Sequence, residues 1–124
     1  MRSDPDRVQD ILEAIERVER HTHSGRSTFD NDELIQVWVV RHLQIIGEAA
    51  SRLSQEARDQ QSDGPWREII GMRHILVHGY FEVDNDLAWS VVEHELGTLR
   101  GAIAQMAGGF ESQPSTAEGP GPGE

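Results

Sequence analysis

Twelve of the twenty residues from 34 to 53 are apolar: Leu34, Ile35, Val37, Trp38, Val39, Val40, Leu43, Ile45, Ile46, Ala49, Ala50 and Leu53. A single narrow stripe cannot hold so many, so the sequence predicts a helix that is central in the fold or buried on two sides. Asp30 is its candidate cap, with Glu33 three residues further on in the capping-box position. The neighbouring segments have the patterns needed to cover it. Val8, Ile11, Leu12, Ile15 and Val18 recur at three-and-four spacing, behind Ser3, Asp4 and Asp6, with Pro5 suited to the first turn. Residues 21–27 break that pattern and read as a loop.

The polar stretch 54–61 holds a further turn or two of helix before Asp63, Gly64 and Pro65 break the chain. Residues 66–78 read as a third long helix, with Ile69, Ile70, Leu76 and Val77 as its apolar surface and Gly79 placed to end it. Asp84 and Asn85 are candidate caps for a last helix, whose apolar positions Leu87, Val91, Leu96, Leu99, Ile103 and Met106 run to about residue 107. No strand pattern and no internal repeat stand out. The expected fold is all-α, an antiparallel bundle of four main helices and four to five in all, over residues 1–107. Residues 108–124 carry five of the 12 glycines and three of the five prolines, the composition of a disordered tail.

Composition narrows the chemistry. There is no cysteine, which excludes a disulfide framework, a thiolate zinc site, an iron–sulfur cluster and a cysteine nucleophile. All 11 basic residues are arginine, so Schiff-base chemistry and a Walker lysine are excluded as well. Against 22 acidic residues the formal net charge is −11, a field that repels polyanions on average. Any nucleic-acid binding therefore has to come from a local cleft. Neither an export signal nor a membrane span is indicated, and a cytoplasmic location is expected.

Residues 71–80, Gly-Met-Arg-His-Ile-Leu-Val-His-Gly-Tyr, place Arg73, His74, His78 and the only tyrosine, Tyr80, within eight positions at an expected helix end. Arginine offers a permanent planar cation that suits a phosphate or a phosphorane, and histidine exchanges a proton near neutral pH. Metal-free RNA cleavage needs those two roles. On a continuous helix, residues five apart stand about 140° apart around the axis, so Arg73 and His78 would not share a face. Cooperation requires the helix to end near His78, or a second copy of the motif from a partner chain in a symmetric dimer.

Duller readings stand beside this one. Arg73 could pair with Glu68 or with a carboxylate from another helix, and His78 could do no more than interact with a helix dipole. His74 and His78 have a four-residue spacing that can hold zinc, but the glutamate of an H-E-x-x-H helix is missing, so no metal site is expected. Gly47 beside Glu48 suits a close helix approach, with Glu48 either solvated or accepting from a motif arginine. His21, His23, His42 and His94 read as structural, and Trp38, Trp66 and Trp89 as core or interface residues.

Arg73, His78 and Tyr80, spaced as R-x4-H-x-Y, resemble the signature of HEPN-domain ribonucleases in the HepT-like toxin branch. The likeness extends to Ile46-Gly47-Glu48-Ala49-Ala50, Pro65-Trp66, Gly71-Met72-Arg73 and Asp84, while His74 stands where asparagine is more usual. The resemblance implies a homodimeric, metal-independent endoribonuclease toxin without a cofactor. In it Arg73 and His78 would be catalytic, Tyr80 would orient the substrate, and His74 and Glu48 would support them. It also implies a partner, a minimal nucleotidyltransferase antitoxin that transfers AMP to Tyr80. A second reading of the same helical fold is a non-catalytic interaction module that holds such a nucleotidyltransferase.

Overall fold

The computed structural model of the chain describes residues 2–73, 77–78 and 82–112. They form an all-α bundle carrying one very short pair of strands. In chain order the elements are α1 (Asp4–Thr22), α2 (Arg26–Asp30), α3 (Glu33–Ser51), α4 (Gln55–Gln60), α5 (Trp66–Met72), β1 (Val77–His78), β2 (Glu82–Val83), α6 (Asn85–Ser90), a π-helical segment (Val91–Glu95) and α7 (Leu96–Ser112). The main packing joins α1 to α3 and α7, and α3 to α5. Ile11, Ile15, Leu43, Ile46, Ile69, Leu99 and Ile103 meet in the core.

Local chemistry sets the helix starts. Ser3 caps α1: its hydroxyl accepts from the Asp6 N–H, and the Asp6 carboxylate accepts from the Ser3 N–H at 3.1 Å, with Pro5 in the first turn. The Asp4 carboxylate accepts from both the N–H and the hydroxyl of Ser54, at 3.0 and 2.6 Å, which ties the start of α1 to the start of α4. Ser54 in turn caps α4 by accepting from the Ala57 N–H at 3.1 Å. Asp84 caps α6 by accepting from the Leu87 N–H at 3.0 Å.

Three expectations need correction. The cap of α3 is Asp32, which has an extended backbone and accepts from the Leu34 and Ile35 N–H groups. Asp30 ends α2 instead and pairs with Arg26 at 3.1 Å, so part of the expected loop is a helical turn. The central position expected of α3 holds, since it packs on α1, α2, α5 and α6, although at its N-terminal end Leu34, Val37 and Trp38 remain 82%, 54% and 39% exposed. The helix expected over 66–78 stops at Met72, and β1 pairs antiparallel with β2, Val77 opposite Val83 and His78 opposite Glu82. A short apolar run such as Leu76-Val77 suits either period, and the β-branched valines favour the extended one.

The last helix runs on to Ser112 and contains a π segment that its apolar spacing encodes. Val91 and Leu96, both buried, are five residues apart, one more than an α-helical step allows on one face. The wider π turn returns Leu96 to the core side, and Leu99, Ile103 and Met106 follow at α spacing. The disordered tail expected over residues 108–124 does not begin at Gly108, since residues 108–112 continue α7; residues 113–124, and Gly79 as the expected helix stop, lie outside the described residues. Among the described residues, no helix is long and apolar enough to cross a membrane.

Candidate functional site

The site grows from the contact between α3 and α5. A methyl group at Gly47 would stand 2.8 Å from the Ile69 carbonyl oxygen and 3.1 Å from the Arg73 Cβ, so only glycine lets the two backbones come this close. Ile69 and Met72, both buried, anchor α5 to the core. Arg73, the C-cap residue, is thereby delivered to the outward edge of α3. Its side chain is 28% exposed, and Nη1 lies 3.7 Å from Oε1 of Glu48. Glu48 Oε2 meanwhile accepts from Nε of Arg52 at 3.0 Å and stands 2.8 Å from its Nη2.

Arg73 thus pairs with Glu48 of another helix, the neighbour of the glycine that admits α5. At 3.7 Å this is a charge contact, and with Glu48 half exposed such a pair contributes up to about 1 kcal/mol. Its main effect is to hold the guanidinium in place.

Arg73 opens into a shallow cleft of about 610 Å³. Arg41, Gln44, Ile45, Glu48, Ala49 and Arg52 of α3 form one side, and Arg2, Arg7 and Asp10 of the α1 end form the other. Five guanidinium groups therefore face two carboxylates, in a chain whose overall charge is −11. Asp10 pairs with Arg2, whose Nη2 also donates to the Asp6 carbonyl oxygen at 3.3 Å. Sequence reasoning singled out Arg73 and Glu48 and missed the other four arginines. Arg41, Ile45, Glu48 and Arg52 follow at helical spacing and could have been found as the outward stripe of α3. The contribution of Arg2 and Arg7 had no such signal, because it depends on α1 lying alongside α3.

Of the remaining expected site residues, His74 and Tyr80 lie outside the described residues, and of His78 the backbone alone is described, in β1. Arg73 ends a helix and His78 lies in a strand, so the 140° separation of a continuous helix does not apply to them. The four-residue zinc spacing of His74 and His78 loses its helical basis for the same reason. Among the described residues, no group of three or more His, Asp or Glu side chains is placed to hold a metal ion.

The histidines and tryptophans elsewhere have identifiable structural contacts. His42 is buried, with Nδ1 2.8 Å from the Trp38 carbonyl oxygen, and its ring lies 4.3 Å from that of Trp38. His21 meets Trp38 edge-on at 5.5 Å, and Trp38 Nε1 donates to the Arg17 carbonyl oxygen. Trp66 Nε1 donates to the Gln61 carbonyl oxygen at 2.9 Å, and Trp89 packs on Phe29. His23 and His94 are exposed, beside the Arg20 carbonyl and Glu93 respectively.

A family model described as "Ribonuclease HepT-like" matches residues 11–106. The chain is 36% identical over 106 residues to "Probable ribonuclease HepT" of Thermococcus cleftensis, covering 85% of this chain and 96% of that protein. It is 35% identical over 94 residues to "Putative RNase MJ1380" of Methanocaldococcus jannaschii, covering 75% and 86%. No solved structure matches the chain.

Proposed function

The chain belongs to the ribonuclease HepT-like family, and from that premise we propose that it is a metal-independent endoribonuclease, the toxin of a type II or type VII-like toxin–antitoxin pair acting in the cytoplasm. The observation that carries this reading is the position of Arg73, a partly exposed cation held by Glu48 at the head of an arginine-lined cleft.

Arg73 binds the scissile phosphate and stabilises the charge that grows on its oxygens. His78 takes the proton from the ribose 2′-OH, whose oxygen attacks phosphorus. The bond to the 5′ oxygen breaks, and that oxygen leaves with a proton. The products are a 2′,3′-cyclic phosphate and a 5′-hydroxyl. One histidine serves one proton transfer at a time, so a homodimer that brings two copies of Arg73 and His78 to one cleft supplies both base and acid. Tyr80 orients the substrate, and His74 keeps a polar group beside Arg73. A minimal nucleotidyltransferase antitoxin silences the enzyme by transferring AMP from ATP to the Tyr80 hydroxyl, which loses its proton as the α–β phosphoanhydride bond breaks and pyrophosphate leaves; the bulky anion blocks the cleft and repels RNA phosphates.

The test is cleavage of RNA in EDTA by wild type, Arg73→Ala and His78→Ala. Each substitution is expected to lower the rate by about 100-fold or more. Equal activity in all three would mean a contaminating nuclease and would sink the reading, and abolition by EDTA would restore a metal mechanism. Coexpression with the partner should add about 329 Da to the intact mass, an increment absent in Tyr80→Phe.

A further inference from the structure

We propose that the arginine cleft is a track for the backbone of single-stranded RNA, in which Arg41 and Arg7 hold phosphates adjoining the one that Arg73 addresses. The inference rests on the ribonuclease reading and names how that site takes its substrate. A chain with a net charge of −11 repels RNA on average, so affinity has to come from a place where cations are gathered and their carboxylates already occupied. The cleft is such a place. Asp10 is engaged by Arg2, and Glu48 is divided between Arg52 and Arg73. Among the described residues no carboxylate pairs with Arg41 or Arg7, and the Arg7 guanidinium donates only to the Arg2 carbonyl oxygen, at 3.5 Å. These two arginines are the ones in the cleft that no described carboxylate pairs with.

The dimensions fit a strand. Arg41 and the C-cap residue Arg52 stand on one face of α3, eleven residues and therefore about 16 Å apart along its axis, the length of roughly four to five stacked nucleotides. Arg7 faces them from α1, which is held in place by the Ser3–Asp6 box and by the Asp4 bonds to Ser54. Along the α3 wall, Ile45 and the largely buried Ala49 separate the arginines by a strip that carries no charge.

The experiment measures binding and cleavage separately. A fluorescent 2′-O-methyl RNA, whose blocked 2′ oxygen cannot attack, is titrated by anisotropy between roughly 50 and 200 mM salt. In the double variant Arg7→Gln/Arg41→Gln, affinity at low salt should fall about tenfold, and the slope of log affinity against log salt should fall by about 1.4, roughly 0.7 for each lost phosphate contact. Arg41→Gln alone should lose about half that slope, and Arg67→Gln, at an exposed position of α5 outside the cleft, should bind as wild type does. With cleavable RNA the double variant should raise KM about tenfold, with a smaller effect on the saturated rate. Unchanged affinity and slope in a double variant that still cleaves RNA would overturn the track and leave the ribonuclease reading intact. Weakened binding where wild type fails to cleave would support the track and overturn the ribonuclease reading. Matching circular-dichroism melts secure the comparison, since both substitutions keep a polar side chain at the cleft surface.

Discussion

The outward face of α3 changes character along its length. At its N-terminal end Leu34, Val37 and Trp38 reach solvent, and on the same stripe Arg41, Glu48 and Arg52 follow. Both ends are exposed, and both belong to one regular helix. They differ in what the rest of the fold brings to them. At the charged end α5 closes on Gly47 and delivers Arg73, while α1 adds Arg2 and Arg7. At the apolar end the Trp38 ring touches His21 and His42, and no arginine lines the small pocket that Leu34, Ile35 and Trp38 form with His21. One end suits a polyanion. The other has the apolar character of surfaces that protein contacts cover.

The largest expected effect comes from breaking the charged end at its root. Gly47→Ala places a methyl group against the Ile69 carbonyl and the Arg73 Cβ, which have to move apart. The cost should be about 2 kcal/mol, a fall of roughly 6–10 °C in the thermal midpoint, accompanied by loss of RNA cleavage. Gly101→Ala, where a new Cβ meets nothing within 4 Å, should instead stabilise by about 0.5–1 kcal/mol. Equal melting shifts for the two would show that the α3–α5 contact is not tight.

At the apolar end, Trp38→Ala removes a partly exposed ring, two histidine contacts and a hydrogen bond to Arg17, and should cost about 1–2 kcal/mol. RNA affinity should stay within about twofold of wild type, because no phosphate-binding cation is lost. If anisotropy showed a loss as deep as that of the Arg41 variants, the two ends would be one binding surface.

The smallest effect concerns the outer wall of the cleft. Hydrogen bonds from the Ser3 backbone N–H first, and from the Ser3 side chain second, hold the Asp6 carboxyl below its ordinary pKa of 3.8. A carboxyl with a depressed folded pKa contributes stability above its unfolded value, and that contribution is lost as pH falls through the folded one. Thermal midpoints of wild type should therefore exceed those of Asp6→Asn near neutral pH, with the gap closing below about pH 4. A gap that persisted unchanged into strong acid would mean that the ionised capping box is not its source.

Much of the fold was legible because its signals are local. The stripe Val8, Ile11, Ile15, Val18 is buried as its spacing requires, and Pro5, Ser54 and Asp84 open helices where their chemistry suits them. The failures occurred where local signals compete. Asp30 and Asp32 are equally good caps in isolation, and the outcome depended on Asp30 being drawn to Arg26 in a helical turn of its own. Leu76-Val77 satisfies both helix and strand periods, and pairing with Val83 favoured the strand for Val77. The five-residue step from Val91 to Leu96 is present in the sequence but does not fit an α pattern, and the π turn accommodates it.

The candidate site divides in the same way. By itself the sequence determined the helical class, the absence of thiol and lysine chemistry, and the Arg73 to Tyr80 motif, because composition, periodicity and short spacings are properties of neighbours in the chain. Only the tertiary structure decided that Glu48 would partner Arg73, and that Arg2 and Arg7 would join Arg41 and Arg52 across a cleft. Those groups come from segments up to about seventy residues apart, and a Coulomb field depends on distance in space. An acidic chain can therefore hold a strongly cationic cleft, which its net charge cannot reveal.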